Sequence, residues 1–273
     1  MPETPALPSL PADVVTLNGK DSMPLLGFGT WELKGHDAAT ATAAALEAGY
    51  RHIDTATVYA NEGEVGTALR ESGVAREEVF VTTKCPPELA GQELDTLRRS
   101  LELLDTDSVD LWLIHSPAKE ADVRLSMWRA FLEAHEAGLA KNIGVSNFGL
   151  EMIDELTSAT GSTPVVNQIR WSPLLFDATV LQEHRARGVA LEGYSALRGG
   201  TLDDPTVREV AERAARTPAQ VIIRWHIQHE VIVIPRSRKA ERIRANAAVG
   251  DFELSANDMA ALDALGTGSR PQA

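Results

Sequence analysis

The chain has one cysteine among its 273 residues, Cys85, which rules out an internal disulfide and a cysteine-built metal site. No apolar run approaches the roughly 20 residues that span a bilayer. Basic residues are in deficit, 26 against 39 acidic, for a net charge of −13. That balance disfavours a nucleic-acid or anionic-membrane surface. There is no GxGxxG string, so the dinucleotide-fold fingerprint is missing, and no HExxH metal motif. Tyrosine occurs only three times, so a phenol beside charged residues would stand out. The first thirteen residues carry four prolines but not the basic-then-apolar layout of a signal peptide. The expectation is a cytoplasmic monomer whose partner is a small molecule.

What is present is a regular alternation. Short Val/Ile/Leu-rich runs at 25–30, 52–56, 79–84, 109–115, 142–145, 165–169, 190–194 and 231–235 are separated by Ala/Glu/Arg stretches, among them 37–49, 62–73, 88–104 and 122–138. Near-continuous apolar strands alternating with helices indicate a parallel sheet covered by helices. Eight such units in this length fit a closed (β/α)8 barrel, an α/β TIM barrel, better than an open sheet. Asn18-Gly19 between two short apolar runs is a hairpin turn signal, and the hairpin is expected to close the bottom of the barrel. Asn61, with Glu64 three residues on, can form a capping box, and Gly49, Gly73, Gly138 and Gly188 follow helical stretches. The whole chain, 1–273, is expected to form one barrel domain, with residues 1–13 and 266–273 poorly ordered.

A parallel barrel places its active site at the carboxyl ends of the strands. Asp54, Lys84 and His115 occupy such positions on three consecutive strands, and Tyr59 follows in the loop after the second. A buried lysine needs a carboxylate nearby, and Asp54 can supply it. Each residue alone has a structural explanation: an ion pair, a satisfied histidine, loop packing. Four converging on one mouth point to chemistry. His226 and His229 at i, i+3 lack a metal motif and read as a solvated or packing pair, while His36, His135 and His184 read as surface residues.

The strings carry a resemblance. AGYRHIDTATVYANEGEVG at 48–66, VFVTTK at 79–84, VDLWLIH at 109–115, IGVSNF at 143–148, VIPRS followed by Arg242 and Asn246, and LLGFGTW at 25–31 occur in order over nearly the whole chain. Together they resemble the aldo-keto reductase family, and are similar to its bacterial 2,5-diketo-gluconate reductase branch. The resemblance implies NADPH-dependent reduction of aldehydes and ketones. It makes Asp54, Tyr59, Lys84 and His115 catalytic, with Tyr59 as proton donor. A free phenol has a pKa of about 10, so Lys84 is expected to lower that of Tyr59 while Asp54 holds Lys84 charged. Ser146, Asn147 and Gln168 would hold the nicotinamide carboxamide and Tyr194 its ring. Ser195, Leu197 and Gly199 would line the pyrophosphate. Arg236, Ser237 and Arg242 would hold the adenosine 2′-phosphate and Asn246 the adenine, making the cofactor NADPH/NADP+. The run RSRKAERIR at 236–244 has five basic residues and one acid in an acidic protein, which suits an anion at a helix start.

The sequence also departs from the family pattern. Ser116 stands where the family usually has a tryptophan after the histidine, leaving Trp31 as the main aromatic wall of the substrate site. No metal is expected. Two other classes are compatible with a barrel lysine or a nucleotide cleft: a Schiff-base lyase and a non-catalytic nucleotide-binding regulator.

Overall fold

The structure, a computed structural model, describes residue 10 and residues 13–266. The terminal segments expected to be poorly ordered fall outside these residues, apart from Leu10, Asp13 and Gly266. The chain opens with an antiparallel hairpin of β1 (Val14–Leu17) and β2 (Asp21–Pro24). Asn18 and Gly19, at φ +49° and +68°, make the left-handed turn that the hairpin twist favours.

Eight parallel strands follow: β3 (Phe28–Gly29), β4 (His52–Asp54), β5 (Phe80–Cys85), β6 (Val109–Ile114), β7 (Ala140–Ser146), β8 (Val166–Arg170), β9 (Ala190–Tyr194) and β10 (Ile232–Val233). Each pairs with the next in sequence order. The first and last meet through Gly27 N–H to Val233 O at 2.9 Å and Val233 N–H to Leu25 O at 2.8 Å, closing the barrel. The hairpin covers its amino-terminal end: Leu17 and Met23 are buried, and Asn142, early in β7, donates to Asp21 Oδ2 at 3.0 Å.

Ten helices are described: α1 (Gly35–Glu47), α2 (Glu62–Glu71), α3 (Glu93–Leu104), α4 (Ala121–Glu136), α5 (Leu150–Thr160), α6 (Ala178–Ala186), α7 (Pro205–Ala214), α8 (Pro218–Gln228), α9 (Ala240–Ala247) and α10 (Ala256–Asp263). They bury the outer strand faces. Trp112 of β6 stacks on Phe131 of α4 with ring centres 3.6 Å apart, the apolar packing its alternation with Leu111 and Leu113 implies. The four helix-ending glycines have φ between +70° and +94°.

Three local expectations fail. The stretch 88–104 is not one helix: Pro86 and Pro87 start a separate 3-10 turn, Pro87–Leu89, and Gly91 at φ +85° breaks the chain before α3. Asn61 precedes α2 but makes no side-chain cap. Its amide accepts from Thr55 Oγ1 at 2.7 Å and donates to Thr30 O and Leu33 O, both at 3.0 Å. Three buried partners outweigh one cap, and they tie the loop after β3 to the loop after β4. His184 is also buried rather than superficial. It meets Val180 O at 2.7 Å and Asn167 Nδ2 at 2.9 Å, and Asn167 in turn donates to Phe148 O. That chain of bonds pins the loop carrying Ser146 and Asn147.

Candidate active site

A cavity of about 660 Å³ opens at the carboxyl ends of the strands. Asp54 ends β4, and Lys84 sits one residue before the end of β5. Lys84 Nζ donates to Asp54 Oδ1 and Oδ2 at 2.7 Å each and to Thr55 O at 2.8 Å, which uses all three of its N–H donors. Both side chains are buried. Burial pulls the Lys84 pKa down, but the facing Asp54 and Tyr59 outweigh it and leave the ammonium above its ordinary value. Gln168 of β8 adds a hydrogen bond to Asp54 Oδ2 at 2.8 Å.

Tyr59 closes a 3-10 turn, Thr57–Tyr59, locked from two sides. Thr57 Oγ1 donates to Lys84 O at 2.7 Å, and Ala60 takes the left-handed φ of +49° that reverses the chain. The turn holds the Tyr59 ring over Lys84, with Nζ 5.1 Å from its centre. The His115 ring meets it edge-on at 5.7 Å and 76°. The lowered phenol pKa expected from the sequence is not found. Burial raises it, Lys84 pulls it down and Asp54 pushes it back up, so Tyr59 stays protonated above its ordinary value. Burial, then the Lys84 cation, hold His115 down at about 3, so its imidazole is neutral. Its Nδ1 is buried without a partner.

The cavity extends from this floor. Trp31, Tyr59, His115, Ser146, Asn147, Gln168, Tyr194, Ser195, Leu197, Arg236, Ser237, Arg242 and Asn246 all line it, as does Asp54. Lys84 lies behind Asp54. Gly199 and Ser116 are not in the lining; Gly199 faces the Arg170 guanidinium instead. Ser146 Oγ donates to Gln168 O at 2.8 Å, and Tyr194 Oη donates to Asn147 Oδ1 at 2.8 Å. Asn147 and Ser195 hold positive φ, +61° and +57°, a cost that surrounding contacts must sustain and that clusters at ligand sites.

The basic run lies mainly before α9 rather than within its first turn. Arg236, Arg238 and Lys239 precede Ala240. Arg236 pairs with Glu32, Arg238 with Asp37 and Arg244 with Glu47. Arg242 lines the cavity and has no carboxylate within salt-bridge distance among the described residues. Among the described cations lining the cavity, Arg198 and Arg236 share Glu32, and Arg242 is the one with charge to spare for an anion.

Sequence reasoning missed three features. Glu32 Oε2 accepts from Arg198 at 2.6 Å and Arg236 at 2.8 Å, bridging the loops after β3, β9 and β10. Arg198 also covers the Trp31 ring at 4.5 Å. Glu192 is buried inside the barrel under the site. Long-range ion pairs leave no local pattern; only an acid inside an otherwise apolar strand, ALEGY at 190–194, could have drawn attention to Glu192.

The aldo/keto reductase family model matches residues 25–267. An aldo-keto reductase of Mycolicibacterium vanbaalenii is 46% identical over 259 residues, 94% of this chain and 93% of that protein. One from Mycobacterium tuberculosis is 43% identical over 262 residues, 95% and 93% of the two chains. A crystal structure of an aldo/keto reductase from Brucella melitensis superposes with a TM-score of 0.90 at 42% identity, covering 93% of this chain and 99% of that one. Among the described residues no helix is long and apolar enough to cross a membrane. With strand order, closure and cavity as described, the chain belongs to the aldo/keto reductase family.

Proposed function

We propose that the protein reduces aldehydes and ketones to alcohols with NADPH, and that Tyr59 donates the proton. The observation that carries this reading is the pairing of Tyr59 and His115 on the cavity floor directly above the buried Asp54–Lys84 pair. A dinucleotide suits the donor set. Amide and hydroxyl groups of Ser146, Asn147 and Gln168 fit a carboxamide, the Tyr194 ring fits a stacking partner, and Arg236, Ser237 and Arg242 fit a phosphate. The reduced nicotinamide, when bound, supplies the hydride.

The chain's own residues do the rest. His115, neutral, donates one N–H to the carbonyl oxygen and fixes its approach. As charge gathers on that oxygen, Tyr59 gives up its phenolic proton. The phenolate so formed faces the Lys84 ammonium, which Asp54 and Thr55 hold in place. Lys84 thus acts on the charge that develops during proton transfer rather than on the resting phenol.

The lyase reading loses its nucleophile. Lys84 is charged, has every donor engaged and does not line the cavity, so no lone pair is available for a Schiff base. A regulator without catalysis would have no physical need for a buried ion pair under a phenol. Oxidation of NADPH with a panel of aldehydes, α-keto esters and diketo sugars tests the proposal. The diketo sugars examine the resemblance to the 2,5-diketo-gluconate branch. No NADPH consumption with any of them would overturn the reading, and borohydride trapping of a carbonyl on Lys84 would favour the lyase.

A further inference from the structure

Beneath the Asp54–Lys84 pair the barrel holds a second carboxyl that the chemistry above does not use. Gly193 of β9 faces outward against Trp171 and His226, so the preceding Glu192 projects into the barrel. Glu192 is fully buried, and neither of its carboxyl oxygens has a hydrogen-bond partner. Its Oε1 lies 3.8 Å from Nε2 of His52, which is equally buried and has Thr82 Oγ1 at 3.3 Å. Glu192 is the register partner of Gln168, whose amide donates to Asp54 Oδ2 and also favours the Glu192 carboxylate, though no hydrogen bond to it is formed within normal limits. The titratable groups facing Glu192 are His52 and Asp54 of β4, Lys84 of β5 and Tyr59 of the turn after β4.

Charge balance decides its state. All three Lys84 donors go to Asp54 and Thr55, and none reaches Glu192. An ionised Glu192 would set a second carboxylate against one ammonium, with only the Gln168 amide, already donating to Asp54, as a nearby donor. His52 cannot neutralise it: burial, and then the Lys84 cation, hold that imidazole down at about 3. Burial, and then the Asp54 charge, push Glu192 above the usual carboxylate range and outweigh the opposing pull of the Gln168 amide and Lys84.

We infer that Glu192 is a positioning residue: it keeps a proton, shared with His52 Nε2 through a small side-chain rotation, and by staying neutral leaves Lys84 balanced by Asp54 alone and its field directed at Tyr59. This rests on Tyr59 being the proton donor. When Glu192 loses its proton in alkali, the added negative charge opposes phenolate formation, so carbonyl reduction slows.

Glu192→Gln keeps the shape and removes the ionisation. The pH profile of kcat for carbonyl reduction should lose the alkaline fall that Glu192 causes. Its midpoint should move up by about one pH unit or more, with the NADPH dissociation constant unchanged within twofold. Infrared spectra of the full-length parent should show a carboxylic-acid carbonyl band at neutral pH that titrates away in alkali, and the variant should lack it. Superimposable pH profiles would overturn the positioning role, and absence of the band in the parent would overturn the proton on Glu192. The infrared reading needs neither turnover nor a well-folded variant. A chain that reduces no carbonyl would therefore refute the role of Tyr59 while the state of Glu192 is still measured.

Discussion

Lys84 Nζ stands 2.7 Å from each oxygen of Asp54, with both side chains buried at the floor of the cavity. Breaking such a pair from one side leaves an uncompensated charge, at a cost of about 3–5 kcal/mol. Asp54→Asn should therefore lower the unfolding free energy by an amount in that range, read from urea denaturation. It should also cut turnover. A loss below about 1 kcal/mol would show that Lys84 finds another partner.

Tyr59→Phe keeps the ring over Lys84 and removes the hydroxyl that carries the proton. Carbonyl reduction should fall by about 10²–10⁴-fold, the usual worth of a positioned acid, while NADPH binding, followed by fluorescence quenching, changes little. Most of the turnover surviving would reassign the donor.

Arg242→Ala tests the phosphate site. Loss of a hydrogen bond to a charged group costs about 1.5–3 kcal/mol, and that loss should fall on NADPH and spare NADH, which lacks the 2′-phosphate. Parallel titrations of both cofactors decide it. Equal weakening would mean that Arg242 reads something common to the two.

The substrate wall is drawn differently by the structure than by the sequence. Ser116 does not line the cavity, whereas Trp31 does, 44% exposed, and Val58 lines it beside Trp31 as a second exposed apolar side chain. Trp31→Ala should raise KM for aromatic carbonyls by about tenfold, equivalent to about 1.4 kcal/mol of ring contact, and Ser116→Ala should leave it unchanged. The reverse ranking, measured on one bulky and one small aldehyde, would restore Ser116 as the wall.

Part of the acid stability follows from His52 and His226, the two histidines buried completely as neutral rings. Burial is the leading cause for both, holding His52 down at about 3 and His226 at about 4. The unfolded chain protonates them near pH 6.5 and the folded chain does not. Their contribution is complete above pH 6.5 and shrinks as pH falls towards those values, by about 1.4 kcal/mol per pH unit for each ring at the limit. Chemical denaturation between pH 7 and pH 4.5 should show this decline, and His226→Asn should flatten it. A stability that stays level over that interval would mean both rings are protonated in the fold.

Strand positions 52–56, 79–84, 109–115 and 190–194 were legible because a buried parallel strand needs an unbroken apolar run, and the glycines after helices because a left-handed C-cap disfavours a side chain. Asp54, Tyr59, Lys84 and His115 were legible because polar residues at the ends of such runs are costly without a purpose. The Glu32 bridge to Arg198 and Arg236 was not, because its partners lie 166 and 204 residues away and carry no periodic mark. Asn61 was misread for a related reason: next to a helix it has the sequence of a cap, and only distant carbonyls at Thr30 and Leu33 made other bonds better.

The amino-acid order alone determines the alternation of strand and helix, the eight-unit count and which residue types stand at the strand ends, since these depend on local periodicity and burial. Barrel closure, through Gly27 and Leu25 to Val233, brings those ends to one mouth. Burial at that mouth, together with the charges brought there, then decides the protonation of the side chains. It keeps Tyr59 a phenol and His115 a neutral imidazole, and it leaves Lys84 charged, because the energy of a charge depends on the partners and solvent around it and neither is written in the residue itself.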